Sequence, residues 1–237
     1  MIYILLPAYN EAKNLVKIFK KIEKLPNVKK NFTVIIVDDC SSDKTSDLIK
    51  KKYKFKYFYL RHKKNKGLSL TLETGFKKII NISNKQDLVV TLDSDNTHPI
   101  SMIPKMVKKI CNNNDIVIAS RFAKGSIVNG VSVYRKLLSL GAKFLFKIMH
   151  PYKNLNDYTC NFRVYKSKLI REICKNKKFF INEEFNIAPK IIIYLIKKFE
   201  YLKLSEIPFK LSYDYKIGKS KIKLTKTIIL TLKLILK

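Results

Sequence analysis

Across the first 120 residues, short apolar runs alternate with segments whose apolar positions recur at helical spacing, and few architectures accommodate that alternation. Residues 2–6, 32–37, 55–60, 88–92 and 116–119 read as strands. The run 32–37, FTVIIV, is apolar without a break, as expected of a parallel strand covered on both faces. Between these runs the spacing predicts helices. Asn10 reads as the cap of one carrying Leu15, Ile18, Phe19 and Ile22, and others follow over 45–52, 67–82 and 99–111. Repeated strand–helix units joined by right-handed crossovers give an α/β fold with a mostly parallel sheet flanked by helices. Ligands of such sheets gather at the carboxyl ends of the strands, where the polar clusters 7–11, 38–43 and 93–95 fall.

The remainder is less regular, with helices expected over 131–149 and 183–198 and strands over 161–165 and 201–207. No repeat or Gly/Pro/Ser-rich linker divides it, so residues 1–218 read as one Rossmann-like domain. The segment 219–237 reads as a basic amphipathic helix, with Lys219, Lys223, Lys226, Lys233 and Lys237 along one stripe. Two readings of that helix stay open: it lies on an anionic membrane, or it docks on its own domain with the lysines in solvent.

The formal net charge is +31, and it is spread along the chain: 23 Lys/Arg against 11 Asp/Glu in residues 1–120, and 26 against 7 thereafter. Such a field favours phosphorylated substrates, anionic lipid or nucleic acid. No nucleic-acid motif is present and aromatics do not interleave with the lysines, so nucleic acid is not an expected partner. Cys40, Cys111, Cys160 and Cys174 lie far apart beside only three histidines, which argues against a zinc site or a disulfide framework and for reduced thiols. No secretory leader is evident, and no apolar run reaches the ~20 residues that span a bilayer. The expected location is cytoplasmic, peripheral at the cytoplasmic face of a membrane.

The stretch TLDSDNTHP sets two like charges, Asp93 and Asp95, at a strand tip, an unfavourable arrangement unless a cation lies between them. No Gly-x-Gly-x-x-Gly follows the first strand, which disfavours a dinucleotide enzyme. Instead the chain carries Pro7-Ala-Tyr-Asn-Glu11, then Asp38-Asp-Cys-Ser-Ser-Asp43, Asn65-Lys-Gly67 and Asp93-Ser-Asp95. In that order and spacing they resemble the family-two glycosyltransferases of GT-A fold. Further stretches are similar to the branch containing dolichyl-phosphate mannose synthases and polyprenyl-phosphate glycosyltransferases. These are His98-Pro99, Ala119-Ser-Arg-Phe122, Arg135 with Ser139, Asp157-Tyr-Thr-Cys-Asn-Phe-Arg163, Glu206-Ile-Pro-Phe209 and Gly218-Lys-Ser-Lys221.

The resemblance implies a metal-dependent, inverting transfer of a sugar, mannose or glucose, from a GDP- or UDP-sugar to a polyprenyl phosphate at an anionic membrane surface. Asp93, Asp95 and Thr97 would hold Mg²⁺ or Mn²⁺ bridging the donor diphosphate, beside Ser94. Pro7, Tyr9, Glu11, Val37 and Asp39 would line the base and ribose, with Asp38 structural. Arg121 and Lys221 would stabilise the departing diphosphate, and Arg135 and Ser139 would meet the acceptor phosphate. The chain departs from that branch at Thr97, where Gln is common, at Tyr215, where Arg is usual, and at Asn161, where Gly is usual. A second reading, transfer to a sugar or protein hydroxyl, needs a carboxylate base, for which Asp157, Glu183 and Glu184 are the candidates.

Overall fold

A computed structural model describes residues 1–181, 183, 186–215, 217 and 224–235. Seven strands make one sheet: β1 (Ile2–Ala8), β2 (Phe32–Asp38), β3 (Lys56–Arg61), β4 (Leu88–Thr91), β5 (Ile116–Ser120), β7 (Arg163–Lys166) and β8 (Leu204–Pro208), in the order β3-β2-β1-β4-β7-β5-β8. A two-stranded parallel ribbon pairs β6 (Ile127–Asn129) with β9 (Lys210–Ser212). All strand pairs of the main sheet are parallel except those made by β7, which runs antiparallel to both β4 and β5. That reversal positions the site: β7 begins where its neighbours end, so the loop before it arrives at the carboxyl ends of β4 and β5.

The helices follow the expected logic. α1 (Ala12–Ile22) buries Leu15, Ile18, Phe19 and Ile22 on one face, and full burial of each such side chain contributes roughly 1.5–3 kcal/mol. Phe19 meets Tyr53 and Phe55 edge-on, at centroid distances of 4.9 and 5.8 Å. A four-residue helix, α2 (Val28–Asn31), precedes β2. α3 (Leu68–Ile82) presses on β1 at Gly75, where a Cβ would lie 2.2 Å from Leu5 Cδ1, so any larger residue would force the buried Leu5 side chain to shift. α4 (Ile103–Cys111), α5 (Val133–Met149), α6 (Ser167–Lys175), α7 (Ile187–Lys198) and α8 (Leu224–Ile235) complete the set. No described helix is long and apolar enough to cross a membrane.

Several expectations are corrected. Asn10 does not cap α1: it adopts a left-handed conformation (φ 52°), and Glu11 is the capping residue. Asn10 Oδ1 instead accepts from the Ser42 and Asp43 N–H groups (2.7 and 3.3 Å), joining the first loop to the second. The segment expected as a helix over 45–52 is a 3-10 turn, Lys44–Lys50. α7 begins at Ile187, so Glu183 precedes the helix. The boundary expected near 218 and the lysines at 219, 223 and 237 lie outside the described residues. Over its described part, α8 packs a half-buried Leu234 against the core and exposes Ile229 and Leu232.

Candidate active site

At the tip of β2 the two carboxylates are turned inward. Asp38 is fully buried; Oδ1 accepts from Ser41 N–H (2.8 Å), and Oδ2 from Tyr59 O–H (2.5 Å) and Arg61 Nη1 (3.1 Å). Burial, with the hydrogen bond to Asp38, pushes the Tyr59 phenol up to about 12. Asp38 is therefore architectural, as expected. Asp39, expected to face a ligand, is 3% exposed. Its Oδ1 accepts from His62 Nδ1 (2.7 Å) and Lys66 N–H (2.8 Å), and its Oδ2 from Gly67 N–H (2.8 Å). Val37 is fully buried, so only its backbone can meet a ligand, whereas Tyr9 stands 38% exposed beside buried Pro7. Glu11 Oε2 accepts from Asn14 Nδ2 (2.6 Å).

The tip of β4 is more open. Asp93 and Asp95 are half-buried, and the turn between them and His98 passes through a left-handed Asn96 (φ 64°). Asp93 Oδ1 accepts from Asn161 Nδ2 (3.1 Å), and Asp95 Oδ1 accepts from Thr97 N–H (3.2 Å) and Thr97 O–H (2.7 Å). Thr97 thus orients Asp95, and its hydroxyl oxygen keeps lone pairs beside the two carboxylates. Ser94 Oγ is buried with no hydrogen-bond partner among the described residues. His98 packs as expected, stacked on Phe162 at 5.2 Å, with Nδ1 accepting from Asp93 N–H (3.2 Å). Among the described residues no three His, Cys, Asp or Glu side chains converge as a metal cage. Two hard carboxylates nonetheless fit Mg²⁺ or Mn²⁺, cations that keep water and diphosphate oxygens in most of their coordination sphere.

Arg121, just past β5, reaches across to the loop before β7. Its backbone N–H, Nε and Nη2 all donate to Asp157, at 2.9, 2.8 and 2.6 Å, and Nη2 also reaches Thr159 Oγ1. Burial pushes the Asp157 carboxyl up, but the Arg121 charge and the surrounding donors more than offset this and hold it below the usual range. The same pairing raises Arg121 against the opposing effect of burial. Asp157 is fully buried and accepts as well from Cys160 N–H (3.0 Å), so it is not placed as a catalytic base. Glu206 on β8 fixes this loop by accepting from Asn156 N–H and Asp157 N–H at 2.7 and 2.6 Å.

α5 has two distinct faces. Arg135 and Ser139 share the inward face with Ala142 and the fully buried Phe146, at helical spacing. Val133, Leu137, Leu140, Phe144 and Ile148 form an outward stripe, with Leu137 61% and Phe144 66% exposed. Glu183, the second candidate base, is paired with Lys190 (2.9 Å). Glu184, Lys221 and the 218–221 stretch lie outside the described residues.

Three contributions escaped the sequence reading. His62 belongs to no motif, Asn161 stands out only as a departure from the family pattern, and Glu206 only as a member of one. A fourth is Asn14, 1% exposed, whose Nδ2 donates to Ile217 O (3.0 Å) while its Oδ1 accepts from Ile217 N–H (3.2 Å). A lone polar residue on the apolar face of α1 was the available signal.

Known proteins are similar to this chain. A dolichol-phosphate mannosyltransferase of Pyrococcus furiosus is 32% identical over 225 residues, covering 93% of this chain and 58% of that protein. The chain thus spans less than two thirds of that relative's length. A UDP-N-acetylglucosamine–dolichyl-phosphate N-acetylglucosaminyltransferase of Methanococcus voltae is 25% identical, covering 90% of this chain and 86% of that protein. Among solved structures, glucosyl-3-phosphoglycerate synthase from Mycobacterium tuberculosis in complex with Mg²⁺ and UDP matches with a TM-score of 0.67 at 15% identity. That match covers 99% of this chain and 76% of that one, and bears on the fold. Residues 3–174 match the family model described as Glycosyl transferase family 2, and the chain belongs to that family, with a GT-A fold.

Proposed function

We propose that the protein transfers a hexose from a nucleotide-sugar to a polyprenyl phosphate at a membrane surface, inverting the anomeric carbon. One observation carries this reading, the two faces of α5. Its outward apolar stripe, flanked by Lys136, Lys143 and Lys147 and free of acidic residues, suits an anionic bilayer. Its inward face holds Arg135 and Ser139 within one turn of each other, and these two would meet the phosphate of a membrane-embedded acceptor. Two relatives named for dolichyl phosphate support the acceptor class, and a structural neighbour with Mg²⁺ and UDP supports a metal-bound nucleotide.

In this reading an oxygen of the acceptor phosphate attacks the anomeric carbon as its bond to the donor diphosphate breaks. The phosphate is already anionic near neutral pH, so no carboxylate base is needed. That agrees with the commitments of Asp157 to Arg121 and of Glu183 to Lys190. Asp93 and Asp95 would hold Mg²⁺ or Mn²⁺, which supplies neutralisation of the departing diphosphate. Arg121, fixed by Asp157, contributes a preorganised cation to the same charge. Lys221 is assigned to the diphosphate by resemblance, and residues 219–237 to the membrane surface.

The test is transfer of labelled sugar to polyprenyl phosphate in vesicles, with GDP-mannose, UDP-glucose and UDP-GlcNAc compared, each with Mg²⁺, Mn²⁺ or a chelator. Metal-dependent label in the lipid phase is the expected result. Label passing only to soluble sugar acceptors would overturn the acceptor assignment.

A further inference from the structure

His62 follows β3 and is 7% exposed, with its ring wedged between the tip of β2 and α3. Nδ1 lies 2.7 Å from Asp39 Oδ1, and Nε2 lies 2.9 Å from Thr74 Oγ1. A proton inventory fixes what the ring does. A carboxylate oxygen only accepts, so the Nδ1 contact requires a hydrogen on Nδ1. Thr74 Oγ1 is also 3.0 Å from Leu70 O. Its hydroxyl proton goes either to that carbonyl, with Nε2–H donating to Thr74, or to Nε2 itself. Both arrangements leave Nδ1–H on Asp39.

The consequence concerns Asp39, not the histidine alone. Oδ1 receives two donors, His62 Nδ1–H and Lys66 N–H, and its in-plane lone pairs are filled. Oδ2 receives one, Gly67 N–H, and keeps one acceptor position. His62 and the start of α3 thereby select a single oxygen of Asp39 to meet a ligand above β2.

We propose that His62 is a positioning residue for the donor, holding Asp39 so that Oδ2 accepts from a ribose hydroxyl or base N–H of a nucleoside diphosphate. The proposal rests on the nucleotide-sugar reading and adds to it a residue outside the family-like motifs. Loss of the Nδ1 donor leaves each Asp39 oxygen with a single backbone N–H, removes the distinction between the two oxygens and weakens nucleotide binding, while the chemical step, driven from β4 and Arg121, is spared.

Two near-isosteric replacements separate positioning from packing. In His62→Asn the amide Nδ2–H replaces Nδ1–H toward Asp39 and the reach to Thr74 is lost. In His62→Gln the amide reaches toward Thr74 and the donor to Asp39 is lost. Calorimetric titration of the full chain with UDP and with GDP, each with Mn²⁺, is expected to show His62→Asn within about threefold of wild type. His62→Gln is expected to be weakened about 10- to 100-fold, the loss of one charge-assisted hydrogen bond. In the transfer assay the His62→Gln loss falls on the donor KM, with kcat within about threefold. Equal nucleotide affinity in the two variants, or equal losses that follow their melting temperatures, overturns the proposal. A wild-type protein that binds neither diphosphate overturns the donor-site reading itself, and the proposal with it.

Discussion

Two strand tips in this molecule carry paired carboxylates, and they are used in opposite ways. At β2, Asp38 and Asp39 are 0% and 3% exposed and surrounded by hydroxyl, imidazole, guanidinium and backbone donors. At β4, Asp93 and Asp95 are half-buried, each steadied through its Oδ1 by neighbouring side chains. The difference lies in the surroundings of the tips. β2 sits between β1 and β3, whose ends supply Tyr59, Arg61 and His62. β4 borders the antiparallel β7, whose preceding loop brings the Asn161 amide to Asp93. Fixed donors hold the buried pair and leave one oxygen position of Asp39 for a ligand, whereas the half-buried pair lies where a cation can approach.

Three substitutions break or sharpen that contrast. The largest effect is expected from Asp95→Ala, with metal-dependent transfer falling by at least about 1,000-fold, roughly 4 kcal/mol of barrier, and little change in melting temperature. A large loss of stability there would erase the distinction. Next, Asp38→Ala leaves Ser41 N–H and Tyr59 O–H without their acceptor and is expected to cost about 2–3 kcal/mol in urea unfolding. A variant equally stable but inactive would make Asp38 functional after all.

The smallest effect separates the tips from the Arg121–Asp157 pair and depends on pH. The Asp157 carboxyl is held below its usual range in the folded protein, so ionisation stabilises the fold above the unfolded carboxylate value of about 3.9. That stabilisation is lost as pH falls through the lower folded-state value. Asp157→Asn should therefore lower the free energy of urea unfolding by an amount that is constant between pH 5 and 8, with the gap closing in stronger acid. A gap that widens on acidification would contradict the pairing.

Much of this was legible in the sequence. Uninterrupted apolar runs marked the central strands because burial on both faces leaves no alternation to misread. The spacing of Leu15, Ile18, Phe19 and Ile22 gave α1 directly. What stayed hidden was decided by tertiary context. The reversal of β7 has no local signature, yet it delivers Asp157 to Arg121 and turns an expected base into an anchor. Asn10 was read as a cap from its type, but the second loop offers two N–H groups that compete for the same oxygen. Short β6 and β9 lack the length for any periodicity to show. His62 sits in a lysine-rich stretch that reads as solvated loop, and only the fold shows that it turns inward.

The bidentate contact of Asn14 with Ile217 closes a span of 203 residues. During synthesis, the partner for that side-chain amide emerges only after every strand of the main sheet has been made. Strands β1, β2 and β3 can pair early, because their register involves neighbours in the first quarter of the chain. The first loop is already tied to the second by Asn10, and its Glu11 shares the amide that residue 217 later meets. Nascent chains paused before that point would carry every strand of the main sheet and lack the last hydrogen bonds of Asn14, so a truncation before residue 217 removes a contact to α1 without removing a strand.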